Sequence, residues 1–134
     1  MSNTKTIGDR MLEHDAFSQW LGVNILDYRE GYCKVGMTIR EEMLNGMGKA
    51  HGGIAFALAD SCFAFATNSH GRKAVSIDAS INHISALDAG DYITAETMLD
   101  HPTNKLGFHL IEVKRNDDLV ALFKGVVYRT AKDW

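Results

Sequence analysis

In the first part of the chain, Met11, Leu12, Ala16, Phe17 and Trp20 recur at helical spacing, and Gly22 is placed to end the pattern. The spacing predicts one short amphipathic helix over 9–21. From Cys33 the period changes to two. Cys33, Val35, Met37 and Ile39 fall on one face and Lys34 and Thr38 on the other, after a Glu30-Gly31 turn. Residues 22–29 and 32–39 therefore read as a hairpin.

A glycine-rich loop, Asn45-Gly46-Met47-Gly48, leads to His51-Gly52-Gly53 and then to the run Ile54-Ala55-Phe56-Ala57-Leu58-Ala59-Asp60-Ser61-Cys62-Phe63-Ala64-Phe65-Ala66. Between Gly52 and Ser69 the only charged residue is Asp60. A helix that is apolar all round belongs inside a membrane or inside a protein. A bilayer span needs about 20 mostly apolar residues, whereas this run is shorter, rich in alanine and interrupted by a carboxylate. It predicts a buried core helix.

The rest of the chain is strand-like. Val75, Ile77, Ala79 and Ile81 alternate with Ser76, Asp78, Ser80 and Asn82, which predicts an apolar and a polar face for that strand. Gly90-Asp91 makes a turn, and residues 92–99, 106–115 and 119–128 are three more strands. They are separated by the turn formers His101-Pro102-Thr103-Asn104 and Asn116-Asp117-Asp118. The expectation is an α+β fold in one domain, 1–134. A curved antiparallel sheet of five to six strands wraps a long buried central helix, with a short N-terminal helix, an arrangement that resembles the hotdog fold.

Composition narrows the function. With 46% hydrophobic and 23% charged residues, twelve Gly and one Pro, the chain is an ordinary globular one. Fourteen Lys and Arg against seventeen Asp and Glu leave a formal charge of −3, and no basic run interleaves with aromatics, so no nucleic-acid partner is expected. Cys33 and Cys62 match no CxxC signature and are expected to be reduced core thiols. The N-terminus shows no apolar stretch behind a basic start, so a cytoplasmic protein with no membrane partner is expected.

Several catalytic templates fail. Gly46-x-Gly48 lacks the third glycine of a dinucleotide fingerprint, and no Gly-Lys-Ser/Thr follows it. The six His form no HExxH or clustered spacing, so no metal is expected, and there is no GxSxG elbow for a serine hydrolase.

The string MLNGMGKAHGGIAFALADSCFAFATNSHG resembles the bacterial phenylacetic-acid-degradation thioesterases of the hotdog superfamily. Their hallmark is an Asn-Gly, a His-Gly-Gly and an Asp seven residues after the second Gly. The likeness continues in Ala89-Gly90-Asp91 and in Val120-Ala121-Leu122-Phe123-Lys124-Gly125, so it covers nearly the whole chain. One departure stands out: an Arg-Pro-like pair is expected at the end of the third strand, and this chain has Ser85-Ala86.

The resemblance implies that Asp60 is the catalytic carboxylate, as nucleophile or as general base toward a thioester carbonyl. Without it, a buried Asp capping a backbone turn would be the plainer reading, because an unpaired carboxylate in apolar surroundings costs several kcal/mol or shifts its pKa upward. The resemblance also points to the Gly52 or Gly53 amide at the helix N-terminus as the donor that polarises the thioester oxygen. Close packing of the helix against a strand is the alternative use of those glycines. Asn45 would donate to the carbonyl or hold the attacking water, or else merely shape its loop. His51 would orient the glycine loop or tune Asp60, or else cap the helix. Ser76 would position water, or else face solvent. Lys49, Lys105 and Arg115, with Arg72 and Lys73, are candidate contacts for coenzyme A phosphates, although any surface carries such residues.

Asp60 lies eight positions after Gly52, which at about 1.5 Å per residue separates them by roughly 12 Å along one helix. One chain cannot readily aim both at a single carbonyl. A site using both joins two subunits, so a homodimer is expected, and the resemblance implies two sites per dimer and a homotetramer above it. The expected activity is hydrolysis of an acyl-CoA, phenylacetyl-CoA or a hydroxylated relative, with no cofactor beyond the coenzyme A of the substrate. Two alternatives stay open: a hydratase or dehydratase using His51 and Asp60 as its acid–base pair, and a non-catalytic acyl-CoA-binding module.

Overall fold

The computed structural model describes residues 5–134; the first four residues of the N-terminal reading lie outside it. Helices α1 (Ile7–Glu13) and α2 (Ala16–Leu21) precede strands β1 (Asn24–Arg29) and β2 (Tyr32–Thr38). The central helix α3 (Gly52–Asn68) is followed by β3 (Arg72–His83), β4 (Tyr92–Pro102), β5 (Leu106–Arg115) and β6 (Asp118–Asp133). The six strands form one antiparallel sheet in the order β1-β2-β4-β5-β6-β3, with α3 packed against it. This is the hotdog architecture. Among the described residues no helix is long and apolar enough to cross a membrane.

The N-terminal pattern predicted as one helix is two. The Thr6 hydroxyl accepts from Asp9 N–H and the Asp9 carboxylate accepts from Thr6 N–H, a reciprocal cap that starts α1. Asp15 then leaves helical geometry and its carboxylate accepts from Ser18 N–H at 2.9 Å, starting α2 afresh. Gly22, at φ +82°, ends α2 in the left-handed conformation that glycine adopts without strain.

α3 begins where His51 takes the cap and its Nδ1 accepts the Gly53 N–H at 2.9 Å. Its far end is held by Asn68, whose amide donates to Ala64 and whose carbonyl accepts from Ala74 N–H and from the Trp134 indole. Leu58, Cys62, Phe63 and Phe65 of this helix are buried against Val35, Met37, Ile93, Ile111, Val113 and Phe123. Burial of each such large side chain stabilises the fold by about 1.5–3 kcal/mol. Both cysteines are free and buried, and burial pushes the Cys62 thiol well above its ordinary range. Gly125 is required where β6 passes under Phe63: a Cβ there would stand 2.6 Å from the ring.

Three further expectations change. The helix is not covered all round: Phe56, Ala57, Asp60 and Ala64, at three- and four-residue spacing, form a half-buried stripe. On β3 a bulge between Ser76 and Asp78 shifts the strand's phase. Ser76 pairs with the buried Val127, and Ala79 and Ile81 pair with Gly125 and Phe123, so all three sit on the helix side of the sheet. Val75 instead pairs with Tyr128, and both are exposed on the outer side. Ser76 is therefore not on a polar face opposite Ala79 and Ile81, as simple alternation predicts. β4 also runs through His101 and Pro102, residues predicted to turn, before pairing ends at Pro102 opposite Gly107.

Candidate active site

The loop before α3 is tied down by its own backbone. Asn45 N–H donates to Lys49 O at 2.7 Å, Ala50 N–H to Leu87 O at 2.8 Å, and His51 N–H to Met43 O at 2.9 Å. These bonds hold the 45–51 loop beside the 83–87 segment and open a cleft of about 360 Å³ at the N-terminus of α3. Asn45, Lys49, His51, Gly52, His83 and Ser85 are the polar groups on its walls.

Each predicted residue here has a definite task. The Asn45 side-chain oxygen accepts from Met47 N–H and Lys49 N–H, so the loop consumes its carbonyl, while its NH2 has no acceptor among the described residues. His51 is the helix cap. Because its Nδ1 accepts the Gly53 amide, the proton of its neutral ring resides on Nε2. That bond also distinguishes the two glycine amides: Gly53 N–H is taken by His51, whereas Gly52 N–H has no acceptor among the described residues. Gly52 is exposed in the cleft, and the helix dipole adds to the pull of its amide on a negative or developing oxyanion.

Asp60 is outside that cleft, on the half-buried stripe of α3. Burial, and then the nearby charge of Asp15, hold its carboxyl above the usual carboxylate range, and no hydrogen bond or salt bridge from the described residues offsets them. Asp15 is kept there by Ser18, whose hydroxyl donates to it at 2.6 Å and lies 2.7 Å from the Ser61 hydroxyl. A carboxylate disfavoured as an anion and lacking a partner is suited to accepting a proton or attacking a carbon.

Asp60 and His51 are nine residues apart on the same helix, about 13 Å by its rise, so one chain does not bring them together as a hydratase pair. Asn45, His51 and Gly52 are assembled at one cleft, while Asp60 is not among the residues that line it. Ser76 lies about seven residues, or more than 20 Å, along β3 from His83.

The basic candidates divide by position. Lys49 lines the cleft and its ammonium is bonded to Asp88 at 2.7 Å, in an exposed pair. Arg115 holds the cleft's rear wall, donating to Ala86 O at 3.2 Å and to Asp91 at 3.0 Å. Arg72, Lys73 and Lys105 lie at the other end of β3: Arg72 bonds Asn104 O, and Lys105 O accepts from Arg129 N–H.

His83 was not singled out by sequence reasoning. It pairs with the buried Ala121 and so stands on the helix side of β3, where its ring packs against Gly52. A signal existed: alternation after Ala79 and Ile81 puts His83 on their face, and a polar residue at the end of a core-facing row marks a pocket.

A sequence model described as the thioesterase superfamily matches residues 47–122. A relative from Archaeoglobus fulgidus is 41% identical over 129 residues, covering 96% of this chain and 84% of the relative. The acyl-coenzyme A thioesterase PaaI of Escherichia coli is 40% identical over 120 residues, covering 89% of this chain and 86% of that protein. The solved structure of the E. coli PaaI protein from the phenylacetic acid degradation operon superposes with a TM-score of 0.89 at 38% identity, over 92% of this chain and 91% of that one.

Proposed function

Because this chain belongs to the thioesterase superfamily, we propose that it is an acyl-CoA thioesterase of the phenylacetic-acid-degradation type. Its substrates are aryl-acyl thioesters such as phenylacetyl-CoA or hydroxyphenylacetyl-CoA, hydrolysed to the free acid and coenzyme A. The observation that carries the catalytic assignment is the pair of unsatisfied groups on α3, the Gly52 amide at its start and the Asp60 carboxyl two turns on. The Gly52 N–H donates to the thioester oxygen as negative charge builds on it, with the Asn45 amide as a neighbouring donor. Asp60 either takes a proton from water as the water attacks the carbonyl carbon, or attacks that carbon itself and is released by water. In both routes the C–S bond breaks and coenzyme A leaves as a thiolate that takes up a proton.

The roughly 12 Å between the two groups supports a site shared by two subunits. A homodimer brings Asp60 of one chain to the cleft of the other and covers the stripe of Phe56, Ala57 and Ala64. The edge strand β3, with exposed Val75 and Ile77, supports such pairing, and exposed Leu99, Phe108, Leu110 and Leu122 support a further pairing into a homotetramer. Of the basic candidates, Lys49 lines the cleft, which supports it as a contact for a substrate phosphate, by exchange of its exposed partner Asp88.

Release of thiol from a panel of acyl-CoAs tests the reading. Turnover highest with aryl-acyl thioesters supports it; loss of conjugated absorbance from an enoyl-CoA without thiol release would replace it with hydration.

A further inference from the structure

We propose that His83 supplies a second donor to the thioester oxygen, its Nε2–H acting beside the Gly52 amide. The proposal rests on the reading above, in which Gly52 N–H holds that oxygen.

Distance carries it. A Cβ built on Gly52 would lie 3.3 Å from His83 Nε2, the nearest atom to that position, with Cε1 next at 3.7 Å. An amide nitrogen is about 2.5 Å from the Cβ position of its own residue by standard bond lengths. His83 Nε2 is therefore no farther than about 5.8 Å from Gly52 N, and an oxygen accepting two N–H bonds of about 2.9 Å spans that separation. One carbonyl oxygen can accept from both. The ring atom nearest the Gly52 Cβ position is Nε2, so the tautomer with its proton on Nε2 presents a donor there.

The surroundings support the same role. The His83 ring has no hydrogen-bond partner among the described residues, and it lines the same cleft as Gly52 and Asn45. His51, on the other side of Gly52, is committed through Nδ1 to the Gly53 amide. Of the two imidazoles flanking Gly52, His83 is the one whose ring nitrogens are both uncommitted. The missing side chain of Gly52 is what lets the imidazole stand so close: with a side chain there, the space between amide and ring would be filled.

A donor that strengthens as charge builds on the oxygen acts on the transition state more than on bound substrate, so its loss lowers kcat with little change in KM. Three chains are compared by thiol release at saturating and limiting acyl-CoA: the parent, His83→Phe, which keeps a ring without a donor, and His83→Gln, which restores an N–H. The expected result is a kcat lowered about a hundredfold in His83→Phe, with KM within about threefold of the parent and at least about tenfold recovery in His83→Gln. Equal melting temperatures establish that the variants fold, and His83→Ala replaces the Phe variant if it does not. A parent that releases no thiol overturns the underlying reading and the role of His83 with it. A parent that turns over while His83→Phe keeps kcat within about threefold, or changes KM alone, overturns the His83 role by itself.

Discussion

The hydroxyl of Ser18 lies 2.7 Å from that of Ser61, a buried contact that fixes the α1–α2 corner to the helix position next to Asp60. Ser18 gives its single proton to the Asp15 carboxylate at 2.6 Å, so Ser61 is the donor between the two hydroxyls. The chain of contacts holds one negative charge near another, and Asp15 raises the Asp60 carboxyl beyond what burial does alone.

Asp15→Asn removes that charge while keeping a residue that caps helices well. The acid limb of kcat against pH, which under the proposed role of Asp60 reports its proton affinity in the complex, is expected to move to lower pH in this variant. A limb that stays in place, in a protein of unchanged melting temperature, would show that Asp15 does not tune the carboxyl that governs the limb.

Asp60→Asn is expected to lower kcat by at least about a hundredfold, the scale for losing a general base or nucleophile, and to raise stability at neutral pH. The sign follows from the raised pKa. A carboxyl whose folded pKa exceeds its unfolded value contributes stability below the unfolded pKa, and that contribution is gone once pH passes the folded pKa. At pH 7 to 8 the neutral amide removes the cost of the buried charge. Thermal melts should show Tm higher by about a degree or more. Near-parental turnover would remove Asp60 from the reaction.

How much of this was legible in the sequence differs by element. The Gly52–Asn68 helix and the hairpin were readable because apolar spacing and turn residues there agree with the packing that follows. The bulge at Ile77 was not, since Val75, Ile77, Ala79 and Ile81 alternate without interruption; only the pairing with β6 shows that one residue is extra. The break at Asp15 was hidden because a cap residue within an amphipathic run leaves the apolar spacing intact. One contiguous motif singled out Asn45, His51, Gly52 and Asp60, of which the structure brings the first three to one cleft. His83 was not legible, because it reaches Gly52 through the fold of β3 and belongs to no local pattern.

At the other end of α3, Asp100 bridges two histidines, accepting from His70 at 2.7 Å and from His109 at 2.9 Å, while the other His109 nitrogen is 3.0 Å from the Thr97 hydroxyl. Burial alone would raise the Asp100 carboxyl, but the two histidine hydrogen bonds outweigh it and hold it below its ordinary value. A carboxyl depressed in the folded state contributes stability above its unfolded pKa, about 4, and loses it as pH falls through the folded value. Urea unfolding should therefore show stability falling below about pH 4 in the parent. Asp100→Asn should be less stable by about 1–3 kcal/mol at pH 7, because the amide offers one acceptor oxygen where the carboxylate offers two, and one of the two histidine N–H groups is left facing an NH2. An acid branch equally steep in parent and variant would contradict this role.

The proposal of a site shared by two subunits is tested most directly by complementation. An Asp60→Asn chain, with a sound cleft, is mixed with a Gly52→Val chain, whose new side chain fills the space beside His83 but leaves Asp60 intact. Each is first shown to fold and dimerise, and subunit exchange is verified by tagged copies. A heterodimer then carries one site with both sound groups and one site with both lesions. At random mixing half of the dimers are heterodimers, so activity should rise to roughly a quarter of the parental value. Verified heterodimers no more active than the two variants alone would mean that Asp60 and Gly52 act within one chain, contrary to a site built from two.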